Sequence, residues 1–149
     1  MSETSQQYCT FHINGLFYGI SVLEVQEVIL EQRTTHVPLA RDVLKGLINL
    51  RGQIVTALDL RCMLNPENLK LSAEVHNVVV FSEDGAISLI VDQIGDVLEL
   101  DEARFENPPA NLAPEVTKVI SNVCKLQDEL ILILDIPAIV NHPSILSQS

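Results

Sequence analysis

Side chains able to do chemistry are few in this chain, and they are scattered. His12, His36, His76 and His142 share no metal-ligand spacing, and single histidines on loops and strand ends read as ordinary surface or partly satisfied imidazoles. Cys9, Cys62 and Cys124 are odd in number and contain no CxxC pair, so neither a disulfide framework nor a cysteine zinc site is indicated, and a reducing compartment fits. Asp59 and Cys62, three residues apart, come nearest to a base beside a nucleophile. A small enzyme using them with a distant histidine is the catalytic alternative. Leu60, Met63 and Leu64 surround that thiol, however, which suits a buried structural cysteine, and Asp59 suits a helix cap. Glu83-Asp84-Gly85 reads as a solvated turn rather than half a metal loop. The sequence has no GxSxG, HExxH, P-loop or GxGxxG, so no cofactor is expected.

Arg51 stands apart from these. It lies in Asn49-Leu50-Arg51-Gly52, between two apolar runs, in a chain with five arginines. A turn there would be served as well by Asn or Lys. A guanidinium can instead make a bidentate bond to a carboxylate, with Glu27 of the same half or a group on a partner as the candidates.

The elements that must position Arg51 are β-rich. Apolar residues make up 47% of the 149 and charged residues 19%, which excludes a disordered polyelectrolyte; aromatics at 4% and the lack of Trp leave Val, Ile and Leu to build the core. A formal net charge of -11 repels phosphate backbones, so nucleic acid is not an expected partner. The N-terminus lacks the charged and apolar regions of a secretory signal. The longest strongly apolar run, Leu130 to Leu134, is far short of a membrane span.

Asn14-Gly15 is a hairpin signal joining Tyr8–Ile13 to Leu16–Ile20. Ser21 and Glu24 read as a capping box for a helical turn before a strand over Val25–Leu30. Pro38 should hold Val37 extended, and Asp42–Lys45 reads as a turn closed by Gly46. Leu47–Leu50 and Gln53–Leu58 should meet at Arg51-Gly52, and Asp59 should cap a helix to Leu64. Residues 65–74 read as a linker. The second half repeats the plan with strands at Val78–Phe81, Ile87–Val91 and Asp92–Leu100, a breaker at Asn107–Asn111, a hairpin over Val119–Leu126 and Leu130–Leu134, and a terminal helix capped by Asp135 and interrupted by Pro143.

The halves correspond: Val25-Gln26-Glu27-Val28 sits like Ile94-Gly95-Asp96-Val97, and Ala57-Leu58-Asp59-Leu60 like Ile133-Leu134-Asp135-Ile136. Five short strands per half cannot bury both faces of a flat sheet. Each half is therefore expected to curl into a small barrel, the first over about 8–68 and the second over about 75–141, with a groove between them suited to an apolar helix or protein surface.

Lys45-Gly46-Leu47-Ile48-Asn49-Leu50-Arg51-Gly52-Gln53-Ile54-Val55, running on to Leu58-Asp59-Leu60-Arg61, resembles the core motif of the CheW family of bacterial chemotaxis coupling proteins. Phe17–Ile20, Val25–Val28 and Val91–Leu98 agree with it, and the resemblance covers about residues 8–141. Departures are Thr56-Ala57, where many relatives have Pro and a β-branched residue, and a shorter Glu83-Asp84-Gly85 hairpin. The resemblance implies one CheW-like domain of two five-stranded SH3-like barrels with short helices and a C-terminal helix. It also implies a non-enzymatic adaptor joining the regulatory domain of the CheA histidine kinase to the cytoplasmic tip of chemoreceptors. Such a protein would be cytoplasmic, recruited to receptor arrays at the inner face of the membrane without inserting into it. Val25, Glu27, Gly46 and Arg51 are the partner-binding positions it implies, with Ser88, Ile94 and Val97 by strand position. A paralogous scaffold of another chemosensory array, such as one for surface motility, is the alternative within the same fold. CheA and CheV carry this domain too, but 149 residues leave no room for a kinase core or receiver.

Overall fold

The computed structural model describes residues 3–30, 44–64, 76–83 and 85–142. The expectations at His36, Val37-Pro38, Asp42, Asp84, Pro143 and the 65–74 linker fall outside that range. Among the described residues the elements run β1 (Ser5–Ile13), β2 (Leu16–Ser21), β3 (Val25–Leu30), β4 (Leu44–Leu50), β5 (Gln53–Asp59), α1 (Leu60–Leu64), β6 (His76–Ser82), β7 (Gly85–Val91), β8 (Gln93–Asp101), α2 (Pro114–Thr117), β9 (Ile120–Lys125), β10 (Leu130–Leu134) and α3 (Ile136–Val140). Asn14 and Gly15 take φ of 52° and 82°, the paired positive values of a tight hairpin. Ser21 caps a 3-10 turn, Val22–Glu24, by accepting from the Leu23 N–H at 3.2 Å. The turn read at Asp42–Lys45 is corrected: Leu44 and Lys45 already belong to β4, and Gly46 lies inside that strand at a register shift, with φ 144°. A bulge places glycine there without ending the strand.

Ten strands form two five-stranded sheets, with orders β8-β1-β2-β10-β9 and β3-β6-β7-β5-β4. The duplication read from the sequence is visible in these orders. Adding five to each strand number of the second sheet, or subtracting five, reproduces the first. The way the halves share the sheets departs from barrels divided at 68 and 75. The hairpin β1–β2 joins β8, β9 and β10 of the other half, and the hairpin β6–β7 joins β3, β4 and β5. The physical reason lies in the connectors. The three-residue turn Val22–Glu24 separates β2 from β3, and Asp92 alone separates β7 from β8. Such short corners carry a strand from one sheet into the next and leave no length for a parallel return. The parallel partners therefore come from the opposite half, β10 beside β2 and β5 beside β7.

Three apolar clusters follow from strand periodicity. Tyr8, Phe17, Leu100, Cys124, Ile131 and Ile133 fill the concave side of the first sheet. Ile48, Leu50, Val55, Ala57, Val79 and Ile90 do so in the second. The alternate residues Tyr18, Ile20, Val78, Val80, Leu89, Val91, Leu132 and Leu134, with Leu60, Cys62, Met63 and Leu64 and with Ile136 and Ile139, form a core between the sheets. Strands such as β6, β7 and β10 are thus buried on both faces, which explains their unbroken Val/Ile/Leu runs. The first sheet rolls up at its ends: after β8, Glu106 pairs with Val123 of β9 through N–H···O bonds of 2.8 and 2.9 Å.

Candidate interaction surface

Asn49 Oδ1 accepts from the Gly52 N–H at 2.9 Å and fixes the β4–β5 turn, in which Arg51 and Gly52 take φ of 54° and 88°. The turn throws the Arg51 side chain into solvent, 83% exposed, yet its Nη2 donates to Glu27 Oε2 at 2.9 Å. Glu27 lies on β3, at the far end of the strand order from β4. Across a flat five-stranded sheet those edges would stand about 19 Å apart, beyond what the two side chains span. The contact therefore requires the second sheet to curl until its first and last strands meet, with Ile29 of β3 packed against the apolar cluster that the roll encloses. The pair uses one oxygen and one nitrogen, a single bond rather than the bidentate geometry the sequence reading allowed.

Beside Arg51 the outward residues of β4 and β5 include Leu47 and Ile54, both exposed. A charged pair thus stands next to exposed apolar side chains on a rolled β-surface.

The other expected positions divide. Val25 opens β3 and is half-buried against the core between the sheets. Gly46 is buried at its bulge. Ser88 is 0% exposed and its Oγ accepts from Asn77 Nδ2 at 2.8 Å, inside the second sheet's roll, so it presents nothing to a partner in this state. Ile94 packs on the core, and Val97 on β8 is 54% exposed. Five of the seven thus belong to the second sheet, and Ile94 and Val97 to an edge strand of the first.

Sequence reasoning missed a buried ionic cluster. Asp59 Oδ1 accepts from the Arg61 backbone N–H and from Nε, and its Oδ2 from Nη2, each at 2.9 Å, with Asp59 fully buried and Arg61 nearly so. Asp59 is a cap, as expected, and also the counter-ion of Arg61. Asp92, the connector between the sheets, brings Oδ1 to 3.7 Å from Arg61 Nη1 and accepts from the Asn14 N–H at 3.1 Å. The Asp59 hydrogen bond, before its Coulomb attraction, raises the Arg61 pKa against the opposing effect of burial. The signal lay in Leu58-Asp59-Leu60-Arg61, where two opposite charges sit in an otherwise apolar run.

Catalytic readings lose their footing. Cys62 is 4% exposed within the core and Asp59 is committed to Arg61. Burial raises the pKa of Cys9 and of Cys124, which lowers their thiolate fraction. Among the described residues no group of three or more His, Cys, Asp or Glu is placed to hold a metal. His12 stacks on Phe17 at a centroid distance of 4.6 Å.

The family model for the CheW-like domain matches residues 7–144. The chain belongs to the CheW-like family. It is 29% identical over 142 residues to "Chemotaxis protein CheW" of Bacillus subtilis, covering 95% of this chain and 91% of that one. "Protein PilI" of Pseudomonas aeruginosa is 33% identical over 84 residues, 56% of this chain and 47% of that one. In fold, the chain resembles the crystal structure of the scaffolding protein TtCheW from Thermoanaerobacter tengcongensis, with a TM-score of 0.79, 24% identity and coverage of 90% and 86%. No helix among the described residues is long and apolar enough to cross a membrane.

Proposed function

We propose that this protein is a non-enzymatic adaptor of bacterial chemotaxis that joins the regulatory domain of a CheA-type histidine kinase to the cytoplasmic tip of chemoreceptors. It works in the cytoplasm at receptor arrays on the inner face of the membrane. The observation that carries the reading is the exposed Arg51 paired with Glu27 beside Leu47 and Ile54, in a chain of the CheW-like family. Val25 and Gly46 shape this surface from within, and Val97 offers an apolar contact on the other sheet. Ile94 and Ser88 act through packing rather than by contact.

The test is reconstitution with a kinase and a receptor fragment, comparing wild type with Arg51→Glu. That variant sets two carboxylates against each other at a solvent-exposed turn. Unfolding should stay within about 1 kcal/mol of wild type, while co-sedimentation with receptor and kinase control fall at least about tenfold. Undiminished assembly by a folded Arg51→Glu protein would remove the surface from consideration. A paralogous scaffold of another array, such as one serving surface motility, is a second reading favoured by the stretch shared with Protein PilI. Identification of the kinase that co-purifies from the native cell separates the two.

A further inference from the structure

A second surface lies away from the Arg51 turn, where α3 packs against β6. A hollow of about 450 Å³ opens there between Phe81, Ile136, Pro137 and Val140, with Glu24 and Glu83 on its rim. Phe81 is 53% exposed, although it follows three fully buried valines on the same strand. A neighbouring hollow of about 320 Å³ shares Glu24, Ile136 and Pro137 and adds Asp135, Glu102 and the Tyr8 ring. Together they form a trough whose first hollow has an apolar floor and whose lining carries four carboxylates, of which Glu102 accepts from the Tyr8 hydroxyl at 2.6 Å and Asp135 from the Ala138 N–H at 3.3 Å.

Among the described residues no Lys or Arg lines either hollow. Among the described residues Glu24, Glu83, Glu102 and Asp135 enter no ion pair, while Lys118 and Lys125 pair with Glu115 and Glu106 elsewhere. Burial, with Asp135 nearby, raises the Glu24 pKa. An apolar floor rimmed by carboxylates with no cation partner among the described residues is complementary to an apolar side chain flanked by cations. A second copy carrying the same charge of -11 would bring like charge to it.

We infer that the trough between α3, β6 and the Val22–Glu24 turn is a docking site for a basic, apolar peptide segment of a partner protein, whose Leu-like side chain lies on Phe81 and Val140 and whose Lys or Arg meets Glu24 and Asp135. The site is independent of the Arg51 surface.

The experiment is an amide chemical-shift titration of the full chain with the capped hexapeptide GKLLRG, and with GELLEG as the like-charge control. Shifts confined to 24, 81–83 and 135–141, saturable with GKLLRG and absent with GELLEG, are the expected result. Phe81→Ser should weaken binding about tenfold and Glu24→Gln about threefold, while Glu99→Gln, on β8, leaves it unchanged. Shifts spread over the acidic surface, or the same affinity in Phe81→Ser and Glu24→Gln proteins, would overturn the proposal. So would trough amides that move with protein concentration before peptide is added, which indicate a second copy. Nuclear Overhauser contacts from Phe81 to residues 143–149 would assign the trough to the chain's own tail and overturn it as well.

Discussion

Arg51 occupies a backbone conformation that glycine or asparagine fills with less strain, φ 54°. Its ion pair does little to offset that strain, because a guanidinium 83% exposed gains about 0–1 kcal/mol from a surface partner. Arg51→Gly is therefore expected to match wild-type stability or exceed it by up to about 1 kcal/mol, as urea midpoints would show, while receptor and kinase binding fall. A fall of 2 kcal/mol or more would make Arg51 a structural residue. Asp59 behaves in the opposite way. Removing it leaves the nearly buried Arg61 guanidinium with Asp92 at 3.7 Å as its remaining counter-ion and removes a cap from α1, so Asp59→Ala should destabilise the fold by about 3–5 kcal/mol. Replacing both charges, as in Asp59→Leu with Arg61→Met, should cost less than Asp59→Ala alone, since no buried ion is left unpaired except the hydrogen-bonded Asp92. A double variant worse than the single would show that the cluster acts mainly by positioning Asp92 at the crossing between sheets.

At the level of elements, what was legible in the sequence is what a strand carries locally. Asn14-Gly15 and Arg51-Gly52 announced their hairpins through positive φ, and Asp59 and Asp135 announced α1 and α3 through caps. The Arg51–Glu27 pairing was foreseen as one of two options. What could not be read was partner choice. A period of two says which face of β2 is buried but not that β10 lies beside it, more than a hundred residues later. The 3-10 turn Glu102–Arg104 and α2 were not foreseen, because elements of three and four residues have no periodicity to detect. The burial of Ser88 was not foreseen, because strand position does not distinguish the inside of a rolled sheet from its outside. Gly19 shows how tightly the unforeseen β2–β10 pair is packed. A Cβ there would sit 2.9 Å from Ile131 Cδ1 and 3.6 Å from Ile133 Cδ1. Gly19→Val should cost at least about 1–3 kcal/mol by overpacking, and Ile131→Val introduced with it should recover part of the loss. Additive effects in that double-mutant cycle would mean the two residues do not share the space the structure gives them.

For the whole molecule, the exchange of hairpins makes the halves interdependent. Without the second half, β1–β2 lacks both its neighbours β8 and β10, and β3, β4 and β5 lack the β6–β7 hairpin that joins them into one sheet. Either half alone keeps a two-stranded hairpin and an unjoined β-piece with open edges, assemblies that are marginal in water. The core between the sheets also draws on both halves, with Tyr18, Ile20 and Leu58 from the first and Val78, Leu89, Leu132 and Ile136 from the second. Contiguous barrels would behave differently, each keeping its own closed sheet. Fragments 1–68 and 75–149 should accordingly be unfolded when expressed separately, with poorly dispersed amide spectra and no cooperative thermal transition. Mixed in equal amounts they should regain dispersion and a concentration-dependent melting temperature, as expected when folding and association are one event. A cooperative transition in either fragment alone would mean that its sheet closes without the borrowed hairpin. The same interdependence links the two proposed surfaces. The Arg51 turn rests on β4–β5 of the first half and the trough floor on β6 and α3 of the second, so complemented fragments should recover both binding activities together, at one shared midpoint of fragment concentration.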